Sequence, residues 1–570
     1  MFMKKYIRIV CLGLLMLGWI GVEQAIAQTA EDKPYKAQLA LVENRLRQGN
    51  VSGAIETLDE IIREYPNAAE AHYAKALMFG QLRNYELAIA SAKLAVESEP
   101  SNLLYANYLL ELYKGSNNLP AALGLLDESI AKHSDNIVLY REKIMMLHAN
   151  KQSDEALRAY ELTKEKFGVS DTLDVIKAEI LLDLEQLPEA EQLLTPWVAK
   201  QSPVRQVYSS LGYIYTQQKN IKKATQILEK GLQVSKDPLL HFDLADAYTA
   251  SKKDKQAFDA LLKAFESHEV NYGDKHRVMF TILGGKSNIT LDQMQELANM
   301  MVLRHPRIAD SHVAKGDVLW RRGNLQEARS LFLTAVGINP NHVDAWRMLM
   351  NVELGLNEVD AAIQHGQEAL SVNPNNAMLL YFTGLSYMVK DDTDNSRKML
   401  EAALDNSGEE NAFLQSLIYA GLGDLYHKLS MSDVSDVAYE EAIKLDSTNA
   451  TAMNNYAYYL AERNEKLDVA EKYSRLSNEL DPNSGTFQDT YAWILFKKGD
   501  YSEALKWIQK ALAGSEPSAV LYDHYGDILY KNNQSKEAVR QWEKALALNE
   551  GSDLDVEKLK EKITKKSYVE

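Results

Sequence analysis

Residues 309–341 read ADSHVAKGDVLWRRGNLQEARSLFLTAVGINPN and contain the plan of one structural unit. A first helix is predicted from about Asp310 to Arg322, and Gly323 ends it because glycine tolerates the left-handed conformation found after helices. A second helix is predicted from about Leu325 to Ile338, and Pro340 closes the unit because proline cannot continue a helix. The stretch therefore predicts a helix–turn–helix unit.

Residue size inside this unit indicates how its two helices pack. Small residues stand at Gly316, Ala328 and Ala335, where two helices with a short connection must approach closely. The larger Leu319 and Phe332 are expected to fill the space between them. The unit is therefore expected to bury one face of each helix against the other.

A small residue of this kind recurs every 34 positions from Ala54 to Ala224, Ala257 follows after 33, and the same phase returns in the second half of the chain. The positions in register are Ala54, Ala88, Ala122, Ala156, Ala190, Ala224, Ala257, Ala328, Ala362, Ala504 and Ala538. A fixed period of this length is typical of stacked helical repeats. It predicts an all-α chain of about 15 such units, over residues 35–552.

The pattern resembles the tetratricopeptide repeat (TPR). The set of small, large and proline positions described for residues 309–341 recurs as Ala76, Phe79, Ala88, Ala95 and Pro100, as Gly212, Tyr215, Ala224 and Leu228, and as Gly526, Leu529, Ala538, Trp542 and Ala545. The resemblance implies a TPR α-solenoid, wound as a right-handed superhelix. It also implies that first helices line a concave groove that binds protein partners and that the chain is not an enzyme.

The first 27 residues have the layout of a secretory signal peptide. Lys4, Lys5 and Arg8 precede an apolar run from Ile9 to about Ile20, and an Ala-x-Ala site ends at Ala27. Cleavage after Ala27 and export to the periplasm of a Gram-negative cell are predicted. An uncleaved membrane anchor is the alternative, although the run is short for a membrane span.

Net charge and cysteine content argue against several classes of partner and site. The net charge of −17 argues against nucleic acid and anionic lipid as partners. The single cysteine, Cys11, starts the apolar run rather than following it, so we interpret it as part of the signal and not as a lipid-attachment site. With no metal-ligand spacing among the 12 histidines, no catalytic, metal or cofactor residue is predicted. The oligomeric state stays open.

Domain boundaries follow from where the period holds. Residues 28–34 are a lead-in, 35–271 and 309–552 are two regular arrays, and 272–308 is either a diverged repeat or a hinge. Within that segment, Thr290 and Gln293 predict a capping box at a helix start. Residues 553–570 are predicted to be a helix that caps the final repeat, with a basic binding tail as the alternative.

Repeat phase also predicts which residues of the last three units line the groove. They are Asn454, Asn455, Tyr458, Asp489, Thr490, Trp493, Phe496, Asp523, His524, Asp527 and Tyr530. Aromatic rings supply contact area, amides and carboxylates bind a peptide backbone, and the acids favour a basic partner. Asp523, His524 and Asp527 are expected to share one exposed helix face.

Residues 454–548 are also similar to the C-terminal part of a group of exported bacterial TPR proteins, through NYAYYLA at 455–461, DTYAW at 489–493 and DHYGD at 523–527. Some members of that group are adaptors for periplasmic carboxy-terminal-processing proteases. The resemblance implies an exported scaffold or adaptor that captures partner proteins in the groove and serves such a protease. The alternative is a structural component of a cell-envelope assembly or secretion machine. An enzyme would need a second domain, and the repeats leave no stretch long enough for one.

Overall fold

The computed structural model describes residues 33–48, 50–285, 288–408, 411–514, 516, 518–549 and 554–569. All 31 regular elements in these residues are α-helices. The predicted signal segment and its cleavage site after Ala27 lie outside the described residues. The chain divides into two compact units, the first ending at Val270 and the second starting at Asn271.

The first compact unit contains fourteen of the helices described. They are α1 (Lys36–Arg47), α2 (Val51–Glu64), α3 (Ala69–Gln81), α4 (Tyr85–Ser98), α5 (Leu103–Gly115), α6 (Leu119–Lys132), α7 (Ile137–Ala149), α8 (Ser153–Phe167), α9 (Asp171–Asp183), α10 (Leu187–Ala199), α11 (Arg205–Gln217), α12 (Ile221–Ser235), α13 (Leu240–Ala250) and α14 (Asp254–Glu266).

The second compact unit contains the other seventeen described helices. They are α15 (Tyr272–Leu283), α16 (Leu291–Arg304), α17 (Ala309–Arg321), α18 (Leu325–Ile338), α19 (Val343–Gly355), α20 (Val359–Val372), α21 (Ala377–Val389), α22 (Thr393–Asp405), α23 (Ala412–Lys428), α24 (Ser432–Leu445), α25 (Ala450–Glu462), α26 (Leu467–Leu480), α27 (Gly485–Lys497), α28 (Tyr501–Gly514), α29 (Ala519–Lys531), α30 (Ser535–Ala547) and α31 (Val556–Lys565).

Helices α1 to α30 form fifteen consecutive pairs, as the 34-residue period predicts, and α31 follows the last pair. Each of the two compact units is therefore a stack of helix pairs. In the pair α17–α18, Ala328, Phe332 and Ala335 have no exposed surface. A Cβ on Gly316 would lie 2.6 Å from Cε1 of Phe332, so only glycine lets the helices approach this closely.

The turn between the two helices of a pair uses a left-handed residue at a recurring position. Gly323 has φ of 78°, as its place in the sequence predicts. The same turn position is occupied by Lys151 (62°), Glu185 (61°) and Asn357 (61°), which carry a side chain. A left-handed backbone strains most residues other than glycine, asparagine and aspartate. The array therefore keeps the turn geometry even where the residue disfavours it.

Residues 272–308 contain a helix pair like the others, α15 and α16. The predicted capping box is present, since Thr290 accepts the backbone N–H of Gln293 and the Gln293 side chain accepts the backbone N–H of Thr290. Among the described helices, none is both long and apolar enough to span a membrane.

Candidate functional site

A continuous series of aromatic and histidine rings runs across the first helices of the last units and ends at Tyr568, which follows α31. Its members in spatial order are His427, Tyr459, Tyr458, His524, Trp493, Phe496 and Tyr568. Successive ring centroids are 3.6, 5.8, 6.5, 4.1, 4.9 and 5.6 Å apart. These spacings are close to those of favourable ring pairs, so the rings form one connected surface. We call these seven side chains the ring series.

The repeat itself brings the ring series together. His427 comes from α23, Tyr458 and Tyr459 from α25, and Trp493 from α27. Each of these helices is the first of its pair and contacts the first helix of the next pair. A residue at one phase of the period therefore meets residues of the same phase in the neighbouring units.

Trp493 is held at the centre of the series by contacts on several sides. Its indole Nε1 donates to Oε1 of Glu462 at 2.6 Å, and its ring stacks on His524 with an interplanar angle of 13°. The ammonium of Lys497 lies 4.7 Å from the Trp493 ring centroid, a cation–π distance. Trp493 is therefore fixed in one orientation, with 6% of its surface exposed.

His524 is buried against a carboxylate. Its Nδ1 lies 2.9 Å from Oδ1 of Asp489 in the preceding unit. Burial lowers the pKa of His524, but the carboxylates of Asp489, Asp523 and Glu462 together outweigh it, so the pKa of His524 lies above its ordinary value. The pair links α27 to α29.

Asp424 joins three donors at the other end of the series. Tyr459 Oη donates to its Oδ1 at 3.1 Å, Asn455 Nδ2 donates to the same oxygen at 3.3 Å, and Tyr439 also donates through its hydroxyl. Burial raises the pKa of Asp424, and the three hydrogen bonds oppose that rise. These bonds fix the ring of Tyr459 beneath His427.

A buried ion cluster closes the site at its C-terminal end. Nζ of Lys562, in α31, lies 2.8 Å from Oδ1 of Asp523 and 2.8 Å from Oδ2 of Asp527. Nε1 of Trp542 donates to Oδ1 of Asp527 at 2.9 Å. Burial and the charge of Asp523 raise the pKa of Asp527 to about 6, and Lys562 opposes the rise.

Helix α31 sits where the first helix of a further unit would sit. Tyr459 bonds Asp424, 35 positions earlier, and Lys562 bonds Asp527 at the same separation. Leu559 is 2% exposed and belongs to the apolar cluster of Trp542 and its neighbours. The last pair, α29–α30, is thus covered by α31.

The predicted exposure of three groove residues is wrong. Asp523, His524 and Asp527 are exposed by only 9%, 5% and 1%. Lys562 of α31 covers the two acids, and His524 lies beneath Trp493. The expected open helix face is therefore an interior of the array.

The other predicted groove residues fall into two groups by solvent exposure. Asn454, Thr490 and Phe496 are buried, and Asn455, Tyr458, Asp489 and Tyr530 are half-buried. The ring series contains Tyr458, Trp493, Phe496 and His524 from the prediction, while Tyr530 instead packs on Trp542 at 6.1 Å. Their role in binding protein stays a prediction.

Sequence reasoning missed five residues that complete this arrangement, namely Asp424, His427, Tyr459, Lys562 and Tyr568. Repeat phase carried a signal for two of them, because Asp424 follows Gly423 as Asp527 follows Gly526, and His427 stands three positions after Asp424 as Tyr530 stands after Asp527. Lys562 and Tyr568 lie beyond the repeats, where phase gives no guide. In the described residues, no group of His, Cys, Asp or Glu has the arrangement of a metal site.

Comparison with known proteins places this geometry in a family. Three tetratricopeptide repeat profiles match residues 39–102, 302–343 and 313–379, residues 385–550, and residues 206–238. Together they cover more than half of the chain.

Two curated relatives are distant and longer than the region they share. The human protein O-mannosyl-transferase TMTC3 is 18% identical over 46% of this chain and 30% of its own length. The BBSome complex member BBS4 of Bos taurus is 22% identical over 48% of this chain and 51% of its own length. The chain thus spans about half or less of these relatives.

Solved structures show low similarity as whole chains. A tetratricopeptide repeat protein from Parabacteroides merdae is 18% identical, with 45% of this chain and 98% of that chain covered and a TM-score of 0.35. Yeast Tom70 is 16% identical, with 89% and 95% covered and a TM-score of 0.33. On its repeats, the paired helices and the family matches, this chain belongs to the tetratricopeptide repeat family.

Proposed function

We propose that this chain is an exported, non-catalytic adaptor that holds a segment of a partner protein against the first-helix face of the units between residues 451 and 531. The ring series is the observation that carries the proposal. Four of the predicted groove residues belong to it, and its half-buried members Tyr458 and Tyr459 present ring surface to a partner. Aromatic anchors of this kind contribute much of the binding energy in protein interfaces.

The charge around the ring series specifies the chemistry of the partner. Glu462, Asp489 and Asp424 lie directly beside the rings. Carboxylates along a binding face favour positively charged segments and repel acidic ones. The proposed partner segment is therefore basic and carries apolar or aromatic side chains.

The proposed setting is the periplasm, with the signal segment removed after Ala27 and the partner delivered to a carboxy-terminal-processing protease. The similarity of residues 454–548 to exported adaptor proteins supports this form of the proposal. Mass spectrometry of the exported chain should give an N-terminus at Gln28. An N-terminus at Met1 in the membrane fraction would contradict the cleavage and favour the membrane-anchor alternative.

The binding face is tested by site-specific photocrosslinking in the cell. A photoreactive amino acid replaces Tyr458, and the matched control replaces Tyr491, whose ring packs on Trp507 of α28 at 4.8 Å. Discrete adducts from position 458 but not 491 are expected, and a protease or its substrates should be among them. The proposal fails if position 458 gives no adduct or the same adducts as position 491. Adducts only with membrane proteins at fixed stoichiometry would favour the envelope-assembly alternative.

A further inference from the structure

The segment after α31 turns back onto the ring series. Lys566 takes a left-handed conformation (φ 52°), and the N–H of Ser567 bonds the carbonyl of Lys562. The turn places the ring of Tyr568 5.6 Å from Phe496, edge to face. Phe496 belongs to α27, two helix pairs before α31, so Tyr568 reaches past the unit that α31 covers.

Tyr568 also lies among cations. Nζ of Lys531 is 4.7 Å from its ring centroid, and Nζ of Lys562 is 5.9 Å away. The side chain therefore makes an aromatic contact and cation–π contacts together, as a bound ligand would. Tyr568 is thus the one member of the ring series that the segment after α31 supplies.

We propose that residues 562–568 are a built-in ligand of the first-helix face, which an external partner displaces by presenting the same two groups, a cation for Asp523 and Asp527 and an aromatic ring for Phe496. The proposal rests on the proposed function for its partner. It specifies that partner as a segment with a lysine or arginine and an aromatic residue at a spacing near that of Lys562 and Tyr568.

The balance of contacts makes displacement possible. Leu559 and Lys562 are the buried residues of α31, and Ile563 packs half-buried on the same apolar cluster as Leu559, so two apolar side chains, one ion cluster and one ring hold the segment. An incoming chain that supplies a cation and a ring replaces the ion cluster and the ring. Because the segment is covalently attached, its effective concentration at this face is about 1 mM. A weakly binding free ligand therefore cannot displace it.

The test uses the full chain and a fluorescent synthetic peptide with the sequence of residues 554–569, followed by anisotropy. The variant Lys562→Gln/Tyr568→Ala removes both groups in cis while the peptide supplies both in trans. We expect the peptide to bind this variant at least about tenfold more tightly than the unmodified chain. Lys560→Gln is the matched control, because Lys560 pairs only with Glu557 of its own helix in the described contacts, and it should behave as the unmodified chain. A peptide with the same two substitutions should bind none of the three.

Equal affinity of the peptide for the variant and the unmodified chain would overturn the proposal, as would no binding to either. If the double variant loses helix content by circular dichroism, Tyr568→Ala and Tyr568→Phe replace it, and only the alanine variant should bind the peptide more tightly. Peptide binding without crosslinks at Tyr458 would leave this inference standing and reject the proposed function. Crosslinks without peptide binding would reject this inference and leave the proposed function standing.

Discussion

Replacing Gly316 by alanine is expected to destabilise the α17–α18 pair, although alanine is the better helix former. A Cβ at this position would lie 2.6 Å from Cε1 of Phe332, and ordinary van der Waals contact begins near 3.4 Å. The Phe332 ring, which has no exposed surface, would have to retreat into a packed interior. The same relation, a glycine 16 positions before a large side chain, joins Gly212 to Leu228 at 2.6 Å.

The magnitude follows from two opposing effects. Glycine to alanine inside a helix stabilises by about 1 kcal/mol through backbone entropy. Overpacking a core costs about 1–3 kcal/mol. Gly337, in the second helix of the same pair, is the matched control, since a Cβ there meets nothing within 4 Å. The free energies of unfolding of the two variants should therefore differ by about 1–3 kcal/mol, with Gly316→Ala the less stable.

Hydrogen exchange of the α17 and α18 amides measures this difference locally, which suits an array whose units open separately. Faster exchange is expected for Gly316→Ala and slower exchange for Gly337→Ala. Adding Phe332→Ala to Gly316→Ala should cost less than the two single substitutions together, because alanine removes the ring atoms that clash. Equal exchange in the two single variants would refute the packing argument.

Three further outcomes are expected. Glu185→Gly should raise the melting temperature, because a non-glycine residue in the left-handed conformation costs about 1–2 kcal/mol. The larger conformational entropy that glycine loses on folding offsets only part of this gain. A lower melting temperature would contradict the prediction. Glu353→Gln should destabilise by about 3 kcal/mol, since Glu353 is fully buried between Arg329 and His365, and NMR should show the raised pKa of His365 falling. Asp310→Asn should cost most stability between about pH 4 and 6.5. Nε2 of His342 lies 2.9 Å from Oδ1 of Asp310, and this ion pair raises the pKa of His342 and lowers that of Asp310. The contribution of the pair is therefore lost as pH rises through the His342 pKa or falls through that of Asp310, and a loss of stability independent of pH would argue against it.

The fold was accessible from sequence because its determinants are local and repeated. The second helix of residues 309–341 runs from Leu325 to Ile338, as predicted, and the first begins at Ala309, one position early. Gly323 and Pro340 act within a few positions of themselves, so their effect needs no tertiary information. The same local signals recur along the chain, and the fifteen helix pairs follow the same pattern.

The residues of the site could be predicted from the sequence only within the repeats. Phase placed Tyr458, Trp493 and His524 on one face, and they do meet in the ring series. Their burial was missed because it depends on neighbouring side chains. Lys562 is one of five lysines between residues 558 and 566, and nothing local distinguishes it from Lys560, which stays more than half exposed.

The charges on α29, the first helix of the last pair, explain why α31 packs there. In α25, the side chain that meets the acid of the preceding unit is Tyr459, whose neutral hydroxyl satisfies Asp424. At the corresponding place Asp527 has Asp523 beside it, and a neutral donor would leave two buried carboxylates without a counter-charge, a costly state. Lys562 supplies that charge, and it draws α31 into the register of a sixteenth first helix. The two acids that the cation of the proposed partner would contact are thus the same acids whose charge Lys562 compensates in this structure.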